Sequence, residues 1–256
     1  SFFNYAGAPG AYNKNKGGGL GLIWENENLN FSINYTSDNA SDPDPVFPFG
    51  GGMFTDGAGS NATVQAAYSR DNWGMAVAYS STASNTQGPG LNFGNSTPLA
   101  AMVQEIGKLN SVGISGWWDN KSKEFPSISL GFGMSNVDEE ECENSSRCNV
   151  YDSAEIFSWS AGMEWDNLFK DGNAGGFAFG QPAHVTSIKR DNGENITDDK
   201  INAYELWYQF KVSNSLTVTP AMYYINRSLG YYEDQDSNAG SSFDEFGALI
   251  KTTFKF

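Results

Sequence analysis

The last eleven residues of the chain alternate between two kinds of side chain. One set, largely apolar, is Phe246, Ala248, Ile250, Thr252, Phe254 and Phe256, and the other is Gly247, Leu249, Lys251, Thr253 and Lys255. A period of two over about 9–11 residues is the pattern of a membrane-spanning β-strand. Chain ends fray unless they are tied down, and in a closed outer-membrane barrel the last strand is tied to the first. The pattern therefore predicts the final strand of a bacterial outer-membrane β-barrel.

The composition fits an all-β protein with one apolar and one polar face on each strand. The 256 residues are 39% hydrophobic and 14% aromatic, yet the mean hydropathy is -0.45. The sequence has no apolar run of about 18 residues, the length of a transmembrane helix. Alternating barrel strands produce this combination, but a soluble β-sandwich or soluble barrel shares it.

Periodicity and connection lengths separate these two possibilities. The alternating segments are 19–25, 29–36, 61–69, 73–80, 110–119, 127–135, 155–165, 174–181, 201–212, 216–225 and 246–256. The connections between them are alternately short and long, and the long ones are 38–59, 82–107, 137–153, 182–199 and 226–242. Outer-membrane barrels have short periplasmic turns and long extracellular loops. We therefore predict an all-β, transmembrane, antiparallel up-and-down β-barrel with about eleven strands in residues 1–256.

The polar faces of these strands supply the candidate pore lining. Small residues dominate these faces, which leaves room for water, and charges are few. The pore-lining candidates are Glu25, Asn30, Asn34, Gln65, Asp119, Glu164, Glu205, Trp207, Gln209, Lys211, Lys251 and Lys255.

Strand parity predicts a larger barrel than the visible strands form. Single-chain bacterial barrels have even strand numbers, and we expect the last strand to run towards the periplasm. An odd count then implies further strands upstream, and we expect roughly sixteen in all. In such a barrel residues 1–16 fall in the usual constriction loop of porins, where Asn13, Lys14 and Lys16 would lie near the narrowest point.

The net charge of -15 argues against nucleic acid as a partner, because proteins that bind nucleic acid carry basic surfaces that neutralise its phosphates. Acidic residues concentrate in the predicted long loops, so we expect a weak cation preference that falls as salt rises. The expected partners are outer-membrane lipid, small solutes and ions.

The two cysteines, Cys142 and Cys148, lie in one acidic loop. Two thiols with no nearby histidine are too few for a structural zinc site. In an oxidising compartment they are disulfide candidates that would close a small loop, and in the cytosol they would be unrelated thiols.

Two stretches resemble the cyanobacterial major outer-membrane porins. The first is Gly172-Asn173-Ala174-Gly175-Gly176 leading to Gly180-Gln181-Pro182-Ala183-His184 and Val185-Thr186-Ser187; the second, 201–256, contains Ala203–Phe210, Ser215–Ala221 and Lys251–Phe256. These porins are of the carbohydrate-selective (OprB) type, are often called iron uptake porins, and carry an amino-terminal S-layer homology domain. The resemblance implies a trimeric outer-membrane porin for small solutes and inorganic ions, including iron, of which this chain is the carboxy-terminal barrel portion.

Motifs for catalysis are weak, and we predict no enzyme activity and no cofactor. The single histidine, His184, lies three residues from Ser187 with no oxyanion site, and we interpret it as a solvated loop histidine. Two other functions stay open. One is a non-transporting surface protein whose long loops bind a partner or phage, and the other is a soluble β-sandwich lectin.

Overall fold

The computed structural model describes most of the sheet and part of its connections. The described residues are 7–12, 17–37, 40–41, 52–55, 59–82, 96–103, 108–120, 124–138, 151–190, 195–196, 199–231 and 243–255. The strands are β1 Gly18–Asn26, β2 Leu29–Ser37, β3 Ser60–Arg70, β4 Trp73–Thr82, β5 Lys108–Trp118, β6 Ser127–Asp138, β7 Tyr151–Asp166, β8 Ala174–Arg190, β9 Asn195–Ile196, β10 Asn202–Lys211, β11 Leu216–Asn226 and β12 Glu245–Phe254. One short helix, α1, spans Pro98–Val103.

The strands form one antiparallel up-and-down sheet. Eleven of them follow chain order, each hydrogen-bonded to the next, and the two-residue β9 pairs with β8 beside this path. This confirms the predicted all-β, up-and-down architecture. Within the described residues β1 and β12 do not pair with each other, so the sheet is open between these two edges.

The connections alternate in length as the sequence predicts. β1 and β2 are separated by two residues, Glu27 and Asn28, and β3 and β4 by Asp71 and Asn72. The connections after β2, β4 and β6 are much longer. One end of the sheet therefore carries only short turns and the other carries the long connections; we call them the short-turn end and the long-loop end.

Three features of the fold differ from the sequence prediction. β7 begins at Tyr151, earlier than predicted, and β8 continues to Arg190. The predicted loop 182–199 is therefore mostly strand. The period of β8 breaks at Pro182, where Gln181 pairs with Trp159 but His184 pairs with Phe157 in an irregular register. That bulge conceals the continuation of the strand from a period-two reading. The long connection 83–107 contains α1, which the strand pattern did not predict.

The two faces of the sheet differ in chemistry. We call the face that carries Gly113 and Gly133 the inner face and the opposite one the outer face. On the outer face large apolar side chains stand exposed along strand after strand, among them Leu22 at 70%, Ile33 at 56%, Met134 at 62% and Ile250 at 74%. Water-soluble monomers rarely expose contiguous apolar surface on this scale. A face that contacts lipid hydrocarbon has this character.

Aromatic and amide side chains bound the apolar band of the outer face. At the short-turn end Trp24 packs beside Phe31 with ring centroids 5.6 Å apart, and Tyr68 beside Trp73 at 5.4 Å. Towards the long-loop end the Tyr79 hydroxyl donates to Asn110 Oδ1 at 2.9 Å. Aromatic girdles of this kind lie at membrane–water interfaces.

Among the described residues, no helix has the length and apolar character needed to cross a membrane.

Candidate functional site

The middle of the inner face is lined by residues with small side chains. Register aligns one row across five strands, namely Gln65, Ala78, Gly113, Gly133 and Ser158, in which the last four have small side chains. Gly113 is the middle residue of β5, so this row lies halfway between the two ends of the sheet, and we call it the mid-height row. Side chains of this size leave space above the sheet, and a segment of the chain occupies it.

The segment Gly7–Tyr12 folds as a turn against this row. Ala8 and Ala11 are buried, and the Ser158 hydroxyl donates to the Gly7 carbonyl at 2.9 Å. A Cβ on Gly113 would lie 2.8 Å from the Ala8 Cβ and 2.9 Å from the Ala11 Cβ. Contacts this short show that the inner face needs glycine at position 113 for the segment to approach.

Tyr12 extends the contact of this segment along β5. Burial raises the pKa of its phenol, which hydrogen-bonds the Ser115 side chain. The neighbouring candidates for the constriction, Asn13, Lys14 and Lys16, lie outside the described residues. Their role near the narrowest point stays a prediction, while Gly7–Tyr12 directly before them lies at mid-height on the inner face.

A second segment, 96–103, packs on the inner face nearer the long-loop end. Its helix α1 buries Leu99, Ala100 and Val103 in one cluster with inner-face side chains of four strands. Those strand residues are Leu109, Val137, Ala154, Ile156, Ala183, Val185 and Ile188. Two separate segments therefore lie over the same wall, and both narrow the space in front of it.

Several pore-lining candidates lie together in one pocket of about 460 Å³ on the inner face. The candidates among its lining residues are Glu164, Glu205, Trp207, Gln209 and Lys251. The lining reaches from Trp117 of β5 to Lys251 of β12. Because strands so far apart in the sheet line one pocket, the sheet curls around this space.

Aromatic rings on the inner face lie over glycines of the neighbouring strand. A Cβ on Gly176 would come 2.6 Å from the Trp207 ring, and a Cβ on Gly74 would come 2.6 Å from Trp117 Nε1. These glycines let the two indoles lie flat against the wall of the pocket instead of crossing the space in front of it.

The other pore-lining candidates are distributed around this pocket. On β1 and β2 the Asn30 amide donates to Glu25 Oε1 at 2.7 Å, and Asn34 lies opposite Gly21. Gln65 lies in the mid-height row, and Asp119 accepts a hydrogen bond from Ser127 at 3.1 Å directly after β5. Lys211 and Lys255 lie at the short-turn end, where the Lys255 amide donates to the Ser215 carbonyl at 2.9 Å. All twelve candidates lie on the inner face or directly after its strands, but only five of them line the pocket.

Sequence reasoning missed a buried polar centre at the long-loop end of the inner face. Asp199, between β9 and β10, is fully buried. Its Oδ2 accepts from the Thr97 hydroxyl and from the Val185 amide at 3.0 Å, and its Oδ1 accepts from the Tyr231 amide at 2.8 Å. Burial raises the pKa of Asp199, and the hydrogen bonds from Thr97, Tyr231 and Val185 oppose that rise.

The interpretation of His184 as a solvated loop residue is wrong. His184 is fully buried within β8, its Nδ1 lies 2.9 Å from the Pro182 carbonyl oxygen, and its ring meets Phe157 edge-on at 6.0 Å. Among the described residues its Nε2 has no hydrogen-bond partner. The disulfide candidates Cys142 and Cys148 lie outside the described residues, and their pairing stays a prediction.

Comparison with known proteins yields one distant relative of uncharacterised function. The chain is 23% identical over 258 residues to the uncharacterized protein sll0772 of the cyanobacterium Synechocystis sp.. The alignment covers 94% of this chain and 43% of that protein, so the chain spans less than half the length of its relative. No protein-family profile matches the chain.

Proposed function

We propose that the chain forms most of the wall of a passive diffusion channel in the outer membrane of a cyanobacterium. The observation that carries the proposal is the opposition of the two faces. Large apolar side chains stand exposed on the outer face, while on the inner face the apolar cluster is covered by α1 and the open pocket carries Glu164, Glu205 and Lys251. A lipid-facing exterior around a polar interior is the arrangement of a water-filled barrel.

Two observations favour a restricted channel over a wide one. The segment Gly7–Tyr12 occupies the mid-height row, and α1 covers the wall nearer the long-loop end. Both lie on the inner face, where chain segments reduce the open cross-section. We infer that small hydrophilic solutes and inorganic ions pass, with iron among them as the resemblance to iron uptake porins implies.

Closure of the barrel is part of the proposal. Among the described residues, the outer edges of β1 and β12 have no strand partner. Unpaired backbone groups are costly in lipid, so only closed sheets span a membrane. We propose that further strands complete a barrel of roughly sixteen and that the complete protein assembles as a trimer, as the resemblance implies.

A solute-flux assay tests the function. The full-length protein is reconstituted into lipid vesicles, and swelling is followed in neutral sugars of increasing size. We expect swelling rates that fall steeply with sugar size and exceed those of protein-free vesicles. Vesicles that contain correctly folded protein but show no added permeability would contradict the proposal and favour the non-transporting surface protein.

A further inference from the structure

The Asp199 carboxylate joins three parts of the chain that are distant in sequence. It accepts hydrogen bonds from Thr97 in the connection after β4, from Val185 in β8 and from Tyr231 in the connection after β11. Thr97 and Asp199 are 102 positions apart. One fully buried side chain thus fastens two long connections to the wall of the sheet.

The Thr97 end of this contact controls where α1 begins. The Thr97 hydroxyl accepts from the Ala100 amide at 3.1 Å, which is the hydrogen bond of a helix N-cap. The Thr97 amide donates to the Ala183 carbonyl of β8 at 2.9 Å. Thr97 therefore positions the first turn of α1 on β8, and its hydroxyl proton is directed to Asp199.

The Tyr231 end is equally constrained. Gly230 has φ +56°, and a Cβ at this position would lie 2.3 Å from Asp199 Oδ1. The turn from Arg227 to Gly230 is closed by a backbone hydrogen bond of 2.9 Å. No side chain larger than glycine fits at position 230 while the Tyr231 amide reaches the carboxylate.

The carboxylate is held mainly by hydrogen-bond donors. His184 is the charged neighbour that acts on Asp199, and Lys200 acts in turn on His184; neither hydrogen-bonds the Asp199 carboxylate among the described contacts. A buried carboxylate that loses a donor loses part of what compensates its desolvation, so removal of any one contact destabilises the buried position of Asp199.

We propose that Asp199 is a positioning residue that latches α1 into the channel, and that this latch sets the open cross-section at the long-loop end. The inference rests on the proposed channel function. Release of the Thr97 hydroxyl from Asp199 frees the start of α1 from this anchor, while the inner wall beneath the helix stays in place. The permeation path then widens without any change in the residues of the mid-height row.

Thiol labelling tests the latch independently of conductance. Val103 of α1 is fully buried, so Val103→Cys in a Cys142→Ser, Cys148→Ser background reports whether α1 stays on the wall. The probe is a membrane-impermeant maleimide applied to the full-length protein in lipid vesicles. We expect Thr97→Val and Asp199→Ala to raise the labelling rate about tenfold or more, the factor that corresponds to about 1.4 kcal/mol.

Matched variants separate the latch from general destabilisation. Thr97→Ser keeps the hydroxyl and should label like the parent, whereas Asp71→Asn removes an acidic side chain from a short turn at the opposite end and should change nothing. Because Thr97→Val also removes the helix N-cap, Asp199→Ala is the deciding variant. Equal labelling rates in Asp199→Ala and the parent would overturn the proposal. Faster labelling in Asp199→Ala with no conductance in any variant would support the latch and overturn the channel function.

Discussion

Gly133 on β6 lies directly beneath Ala8, and a Cβ on Gly133 would come within 2.8 Å of the Ala8 Cα. The strand and the segment therefore pack backbone to backbone at mid-height. This contact makes position 133 a control point for the inner segment, because any added side chain must push Gly7–Tyr12 away from the wall.

Substitution of Gly133 should open the channel. Gly133→Val places two methyl groups where Ala8 lies, so we expect the segment to leave the wall and the single-channel conductance to rise. Gly116→Ala is the matched control on the neighbouring strand, because Gly116 faces outward and its nearest contact is the Gly74 carbonyl at 3.3 Å. An unchanged conductance in Gly133→Val would show that Gly7–Tyr12 does not narrow the path.

Ser158→Ala should loosen the same segment more gently. The substitution removes the hydrogen bond from Ser158 to the Gly7 carbonyl and leaves a buried acceptor unpaired, at a cost of about 1–3 kcal/mol. We expect a mixture of conductance levels in single-channel records, of which the lower matches the parent. A single level identical to that of the parent would contradict the role assigned to Ser158.

Charge substitutions in the pocket should change ion selectivity. Glu164→Gln together with Glu205→Gln removes negative charge from the lining, and we expect a weaker cation preference in reversal-potential measurements at low salt. Lys251→Gln should strengthen that preference. Glu27→Gln, in the exposed turn between β1 and β2, serves as control. Anion selectivity in the parent at low salt would contradict control by the acidic loops and favour control by Lys14 and Lys16.

The latch should respond to pH with a defined sign. Burial raises the pKa of Asp199 above its ordinary value, so a proton is taken up when the hydrated carboxyl group enters the latched position. The contribution of this group to latching is present below the ordinary carboxyl pKa and is lost as pH rises through the raised pKa. We therefore expect high-conductance openings in single-channel records to become rarer as pH falls from neutral towards about 4. Asp199→Asn should lack this component, and an identical pH dependence in both proteins would contradict the assignment.

Neighbouring residues on β3 test which face meets lipid. Val64 faces outward and is 48% exposed, whereas Gln65 faces inward on the next residue. Val64→Lys should cost about 2–4 kcal/mol in the free energy of unfolding in lipid vesicles, as lysine does near the bilayer midplane. Gln65→Lys should be nearly neutral. Equal costs at the two positions would argue against a membrane-spanning sheet.

The strands could be predicted from sequence because each exposes one face to a different environment. Leu29, Phe31 and Ile33 alternate with Asn30, Ser32 and Asn34, and that period survives in the observed register. The part of β8 after Gln181 was not predicted as strand, because the bulge at Pro182 shifts the period by one residue. The helix α1 did leave a local signal, since Thr97 followed by Pro98 is a common helix start.

The inner segments could not be predicted because their contacts are distant in sequence. Nothing near Asp199 indicates that it meets Thr97, and the burial of His184 depends on the surroundings of the β8 bulge. Ala8 and Ala11 are small residues in a Gly- and Pro-containing stretch that reads as loop. Only the curled sheet brings that loop onto Gly113 and Gly133.

Single-channel recording with site-specific thiols tests whether the inner face of the sheet lines a channel. In the Cys142→Ser, Cys148→Ser background, Gln65→Cys lies on the inner face and Val64→Cys on the outer face. We predict stable conductance steps in planar bilayers that a charged, membrane-impermeant thiol reagent reduces for Gln65→Cys and leaves unchanged for Val64→Cys. Absence of conductance from folded protein, or equal effects at the two positions, would contradict a channel lined by this face of the sheet.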